Sequence, residues 1–512
     1  MKAWLLAVGL VCMGLLCGGC RSAAPAPPAA TPSITPGLAQ TETATPHPTP
    51  TPTGTAVATS APTAAPPSPT PIPTRTPSPA PSATQEVQVY EQSMTVLTYP
   101  FAAHLVAAPD SVYGGQVVRL DRSAYEASRP EPSPHTYRAL VVENAYLRLT
   151  FLPELGGRLY QCVYKPTNQA IFYNNRVLKP TYWGPLPREE NWWLAAGGLE
   201  WAFPVNEHGY EWGAPWEVAV RREGAGVEVV LRRASGALHA EVAVTLAAGE
   251  GRFTVSPRLT NAGTRTLPVQ FWANAMLSPG SATVGPDLRL IFPAAQAIVH
   301  STGDPSLPGE GATMPWPVVG GRDLSLYANW RNWLGVFAAE PLPAFVGAYD
   351  TRADVGVARV LGGVGGVKLF AFGSEFPGLS TFADDGSAYV ELWAGANRTF
   401  WPDDDVALNP GASLGWTETW IPVAGMGGFT AATPDAVVRV ERGGGGIAVG
   451  AFSPVPRAAT LQVDAAGTIL LSERVLLGPG RPVARRLPPA EGPVHLRLWA
   501  DDGILLAEAQ RP

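Results

Sequence analysis

The chain reads as all-β, and three observations lead there. Strand-like alternation or short β-branched runs recur along it, as in Leu147–Phe151, Val227–Leu231, Glu241–Leu246, Phe253–Ser256 and Val438–Glu441; side chains that alternate between two environments are what a half-buried strand produces. Between the runs stand glycine-rich reversals such as Glu154-Leu-Gly156-Gly157, Arg222-Glu-Gly224-Ala-Gly226 and Ala248-Gly249-Glu-Gly251, where hairpins turn back. No long, capped apolar pattern of helical period is present. The expected architecture is a large β-sandwich followed by a small one.

At the N-terminus, Lys2 supplies a positive start, Leu5–Leu16 an apolar run too short to span a bilayer, and Cys17-Gly18-Gly19-Cys20 a small-residue cleavage site. Cleavage before Cys20 places two glycines in the peptidase subsites, whereas cleavage before Cys17 would need bulky Leu16 there. The expectation is therefore a lipoprotein signal, residues 1–19, with Cys20 as the lipidation site and the protein held on the outer face of a cell membrane. Cys17 stands where leucine is usual, so an ordinary secretory signal is the alternative.

Residues 20–86 hold the lipidated cysteine and a stalk. From Ala23 to Thr84 the chain is dominated by Pro, Thr, Ser and Ala, with no aromatic residue and almost no charge. Such a composition cannot bury a core; its prolines favour extended polyproline II geometry at about 3.1 Å per residue, so it reads as a disordered, semi-rigid spacer. The formal net charge of -6 argues against a nucleic-acid partner, which needs a basic face. Of the four cysteines, Cys12 and Cys17 leave with the signal and Cys20 takes the lipid. Cys162 is left alone, a small buried hydrophobe in an alternating stretch.

Two globular units are expected, residues 87–428 and 433–512, because the composition changes near Gly425–Pro434. Of the sixteen tryptophans, fourteen fall between Trp183 and Trp420, and the last eighty residues hold only Trp499. Indole faces stack on the C–H faces of sugar rings while polar neighbours read hydroxyls, so a tryptophan-rich β scaffold suggests a saccharide site, although any one tryptophan is more often core.

Order along the chain says more. Val142–Tyr160 contains a strand, a Gly156-Gly157 turn and a return strand. Gly197-Gly198-Leu-Glu200-Trp201-Ala-Phe203-Pro204 follows, then Glu207-His208-Gly209-Tyr210; later come Tyr389-Val-Glu391-Leu-Trp393-Ala-Gly395 and Trp416-Thr-Glu418-Thr-Trp420. This series resembles galactose-mutarotase-like (aldose epimerase-like) domains over about residues 137–428. It most closely resembles an uncharacterised bacterial domain-of-unknown-function family with that fold. The resemblance implies a β-supersandwich and carbohydrate as the partner; the change in composition and the short strands of residues 433–512 suggest a small Ig-like sandwich after it.

By motif position, the resemblance makes Glu391 the base and His208 the acid or sugar-binding group, since opening a pyranose needs one group to take the anomeric proton and another to protonate the ring oxygen. Arg158, Glu200, Trp201, Trp272, Asn274 and Trp393 are the expected substrate contacts. One departure stands out: where the epimerases carry a second histidine, this chain has Trp272 and Asn274, poor proton donors. Glycoside hydrolysis, with Glu200, Glu207 and Glu391 as its carboxylates, non-catalytic glycan binding and a purely structural surface role remain as alternatives.

No cofactor is expected. Asp384-Asp385-Gly386 and Asp403-Asp404-Asp405 offer oxygens to Ca²⁺ but lack the ligand spacing of an EF-hand, and no paired Cys/His pattern implies zinc. His300 reads as a loop histidine, with a place in the cleft as the alternative, and Gly362–Gly366 as a hairpin turn.

Overall fold

In a computed structural model of the protein, the structure describes residues 86–110, 112–181, 192–205, 207–211 and 213–512. The expected signal, Cys20 and the stalk lie outside the described residues, as do Trp183 and Trp212.

The alternation seen in the sequence becomes the inner and outer faces of two large sheets. In strand Leu238–Leu246, Leu238, Ala240, Val242, Val244 and Leu246 are buried while His239 is exposed, and Phe253–Asn261 repeats the pattern. Among the described residues these strands belong to a nine-stranded sheet, and its inner face meets a fourteen-stranded sheet. One apolar core joins the two faces, with Val229, Val242, Val255 and Trp420 from one sheet and Leu199, Ala275, Leu369 and Leu392 from the other. Cys162 is fully buried in that core, where burial pushes its thiol up. The chain is all-β, as its sequence predicts.

The segment before Tyr137 supplies a leading strand rather than a separate lid: Gln88–Thr98 pairs antiparallel along its whole length with Ser133–Glu143 in the larger sheet. One expectation needs correction. Gly362–Gly366 is not a hairpin turn, because Val355–Gly362 lies in the nine-stranded sheet and Gly366–Ala371 in the fourteen-stranded one; the glycines carry the chain across the core.

Behind the large sandwich, two four-stranded antiparallel sheets built from residues 431–511 close on a core of their own that includes Val438, Val449, Leu461, Val463, Leu496 and Leu498. Val437 and Phe452 pack into the large core instead, and Arg252 pairs with Asp435 at 3.2 Å.

The larger sheet has a feature that the smaller lacks. Its strands Leu199–Ala202, Trp272–Leu277, Gly366–Ala371 and Val390–Gly395 are buried at every residue. One face lies on the core, and the other lies under a second layer. Register fixes what the second face carries. Glu200, Asn274, Trp393, Lys368 and Phe337 lie side by side across five strands, and Met276, Glu391, Phe370 and Gly335 form the next row. Neighbours on one face of a sheet are in side-chain reach of each other, so this polar and aromatic face is where a site is built.

Candidate functional site

Glu200 is the anchor. Its side chain is fully buried, and a buried carboxylate is tolerated only when paired and hydrogen-bonded. It accepts from Arg158 Nη2 at 2.9 Å and Trp193 Nε1 at 3.0 Å on one oxygen, and shares a 2.6 Å bond with His208 Nδ1 on the other. Burial alone would push its pKa up, but His208, Arg158 and the hydrogen bonds outweigh burial and hold it below the usual carboxylate range. An ionised Glu200 keeps a proton on His208 Nδ1, which leaves Nε2 as the free polar atom of the ring.

A folded-back loop brings His208 there. Tyr210 N donates to Phe203 O at 3.0 Å, closing the loop on its own start. Gly209 sits at φ 65°, and a Cβ there would lie 2.3 Å from Phe203 O; only glycine permits so close an approach. The imidazole then stacks on Trp193, centroids 4.1 Å apart at 24°, and tilts against Trp393 at 5.1 Å. The His-Gly pair of the sequence motif is thus a positioning device for the ring.

Glu391 lies one row along from Glu200 and meets the opposite fate. Burial pushes its carboxyl up; His208, Lys368 and the 2.8 Å hydrogen bond from Trp393 Nε1 oppose that, Glu200 adds to it, and the net direction is upward. Two carboxyl groups whose environments drive their proton affinities apart are the arrangement from which acid–base roles arise.

His208, Glu391, Trp193 and Trp393 line one recess together with Glu207, His300, Ser301 and Lys368. Its free space is about 330 Å³ counted to the open mouth, of which about 10 Å³ accepts the centre of a water molecule. That is room for about one water.

The expected site residues divide into four groups. His208, Glu391 and Trp393 line the recess. Arg158 and Glu200 stand behind it, with Arg158 also donating to Gly197 O at 2.7 Å. Asn274 lies between Glu200 and Trp393 in the sheet register, fully buried, and among the described residues neither its amide nitrogen nor its amide oxygen has a hydrogen-bond partner.

Trp272 and Trp201 stand apart. The Trp272 indole lies flat across the sheet: a Cβ at Gly395 or Gly366 would come within 2.5 or 2.8 Å of it. It is sealed under Phe337 and Phe400, and its Nε1 donates to Gln270 at 2.8 Å. Trp201 is a core residue whose Nε1 donates to Gly157 O at 3.0 Å. Adjacent strand residues point to opposite faces, so Glu200 and Trp201 cannot share a cleft.

Sequence reasoning passed over Lys368 and Ser301 and read His300 as a loop residue. His300 is on strand Gln296–Thr302, its Nε2 3.4 Å from Glu207 Oε1. Burial, and secondarily Lys368, push its pKa down to about 2, so its ring is neutral. A lysine at the centre of the apolar run Gly366-Val-Lys368-Leu-Phe370 was the available signal for Lys368.

The acidic loops are occupied by the protein itself. Asp384 pairs with Lys179 at 2.5 Å, Asp385 with Arg176 at 3.1 Å, and Asp404 accepts from Thr399. Among the described residues no three His, Cys, Asp or Glu side chains converge to hold a metal ion.

With this geometry in view, similarity to known proteins can be stated. A TPR-domain-containing protein from Parabacteroides distasonis is similar at 21% identity with a TM-score of 0.54, covering 66% of this chain and 56% of that one; this chain thus spans little more than half the length of that relative. A galactose mutarotase-like protein from Clostridium acetobutylicum is similar at 11% identity and TM-score 0.41, covering 56% of this chain and 96% of that one. A second, from Lactobacillus casei, is similar at 12% identity and TM-score 0.39, covering 56% and 100%. The model of a domain of unknown function, DUF5107, matches residues 121–423, a span that takes in every recess residue and more than half of the sequence, and this chain therefore belongs to the DUF5107 family.

Proposed function

We propose that this protein engages a saccharide through the recess and acts on its anomeric end by proton transfer. Glu391 is the base, and His208 is the acid or a hydroxyl-binding group. The observation that supports this most is the meeting of Glu391 and His208 in one recess, with Glu200 below them kept ionised and His208 held by it. Proton transfer in either direction needs groups within hydrogen-bond reach of the reacting oxygens and with proton affinities near the working pH. Burial raises the proton affinity of Glu391, the direction that the second condition needs. Arg158 and Glu200 act as positioning residues, and Trp393 offers its ring to the sugar.

Non-catalytic glycan binding is the second reading, favoured by one feature: Asn274 and Trp272 stand in place of a second proton-donating histidine. One experiment separates the two. The protein is mixed with freshly dissolved α-anomers of aldohexoses, their uronic acids and reducing disaccharides, and NMR follows both saturation transfer to the sugar and the approach to anomeric equilibrium. Accelerated equilibration is expected. Binding without acceleration would replace the catalytic reading with the binding one, and the absence of both would defeat the saccharide assignment.

The same proposal places the protein on the outer face of a membrane through Cys20, lifted by its Pro/Thr stalk, with residues 433–512 as support. Replacing Cys20 by Ser is expected to abolish acylation and release the protein from membranes, measured by metabolic labelling with a fatty-acid probe. Undiminished label in C20S would move the anchor elsewhere.

A further inference from the structure

The chain has 36 basic residues, Lys and Arg together, and only four are lysines: Lys2, Lys165, Lys179 and Lys368. Lys165 pairs with Glu143 at 3.1 Å and Lys179 with Asp384 at 2.5 Å. Lys368 is different. It is 3% exposed, sits on the site-bearing face beside Trp393, and has no carboxylate within salt-bridge distance among the described residues. Its ammonium lies instead among aromatic rings, 4.2 Å from the Phe400 centroid, 5.1 Å from Trp393 and 5.5 Å from Phe370.

An amine is a costly choice for a buried strand position, where an apolar residue of similar volume satisfies the packing. Its surroundings are also left open to polar contact. Gly335 faces it across the sheet, and a Cβ there would lie 3.3 Å from Lys368 Cε and 3.4 Å from His300 Nδ1. His300 Nδ1 and Ser301 Oγ, of two residues that line the same recess, are buried without a hydrogen-bond partner among the described residues. The recess therefore holds polar atoms whose hydrogen-bonding capacity is unused among the described residues, and Glu391 stands in the row adjacent to Lys368.

We infer that Lys368 is the group that gives its proton to the ring oxygen of an aldose while Glu391 takes the proton of the anomeric hydroxyl, which leaves His208 the hydroxyl-binding role. This rests on the saccharide chemistry proposed above and fills the position that Trp272 and Asn274 cannot. The step balances. The Glu391 carboxylate accepts the O1 proton, C1=O1 forms as C1–O5 breaks, and O5 receives the proton from Lys368 Nζ, leaving a neutral carboxyl and a neutral amine. Rotation about C1–C2 and reclosure return both protons, so no co-reactant is consumed.

The electrostatics favour the exchange. Burial lowers the proton affinity of Lys368, although Glu207 and Glu391 oppose this, while burial raises that of Glu391. The two are drawn toward each other, which reduces the uphill cost of a proton passed between them through the sugar. The other titratable groups lining the recess are Glu207, His208, neutral His300 and Tyr389.

Two substitutions and one spectrum test this. K368M should cut anomer interconversion about 10²–10⁴-fold, the usual worth of a positioned acid, with little change in KM. K368R keeps a cation but cannot release its proton at working pH, so it should bind sugar and stay nearly as inactive as K368M; a structural cation would be rescued by arginine. Wild-type turnover in either variant would overturn the inference. In protein labelled with ¹⁵N-lysine, the Lys368 resonance should titrate well below that of an ordinary lysine and move when Glu391 is replaced by Gln; titration at the ordinary value would overturn it independently of activity. A wild type that binds sugar but interconverts no aldose would instead overturn the catalytic reading, and the inference with it.

Discussion

Replacing Glu418 by alanine is expected to cost about 3–5 kcal/mol of unfolding free energy, the penalty for leaving one member of a buried ion pair alone. Glu418 and Arg359 are both fully buried between the two large sheets. The guanidinium donates to the two carboxylate oxygens at 2.6 and 3.0 Å, and the indoles of Trp416 and Trp420 donate to the same oxygens at 2.6 and 2.9 Å. Arg359 also reaches across the core to Leu392 O at 2.5 Å and Ala273 O at 3.1 Å, the backbones of the strands that carry Glu391, Trp393 and Asn274. E418A therefore strands a charge and loosens the floor of the recess together. Denaturant unfolding measures it: a loss below about 1 kcal/mol would mean that the cluster is dispensable. E418Q keeps acceptor oxygen and should lose less.

That cluster explains why tryptophan density in the sequence overstated the sugar site. Residues two apart on a strand share a face, and an indole N–H needs an acceptor when buried. Trp416 and Trp420 both serve Glu418, Trp393 serves Glu391 and Trp272 serves Gln270, each at a separation of two. These four indoles are thus partners of buried polar groups, and among the described residues Trp193 and Trp393 are the ones that reach the recess. Period-two patterning made the all-β class legible, and the order of motifs brought out Glu391, His208 and Glu200. What stayed hidden depends on register. Sequence does not say that Lys368 lies beside Trp393, or that His300 is carried by a strand over Gly335, because those neighbours come from pairings across distant segments. Parity along Leu199–Ala202 was readable, and it already forbade Glu200 and Trp201 from facing the same way.

Replacing Glu391 by glutamine should separate stability from chemistry. In E391Q the amide retains an acceptor for Trp393 Nε1 but cannot take up a proton, so anomer interconversion should fall by at least about 10²-fold while most sugar binding remains. Stability should move the other way. The folded-state pKa of Glu391 is raised by burial, so the folded protein holds this proton more tightly than the unfolded chain does. Its contribution is fully favourable below the ordinary carboxylate pKa and is lost as pH rises from there through the higher folded value. Above that window the wild type carries a buried carboxylate that it would be more stable without, and E391Q does not titrate. The difference in unfolding free energy between E391Q and wild type should therefore grow in favour of the variant as pH rises through the window, then level off. Glu200, with its pKa depressed, has the opposite sign: its stabilisation is present above the ordinary carboxylate value and is lost as pH falls below it. Urea unfolding of wild type and E391Q at matched pH values reads the difference directly. An E391Q protein less stable than wild type at neutral pH would show that Lys368 and His208 stabilise the ionised carboxylate more than burial opposes it, and Glu391 would then be an ion-pair partner with no claim to act as the base.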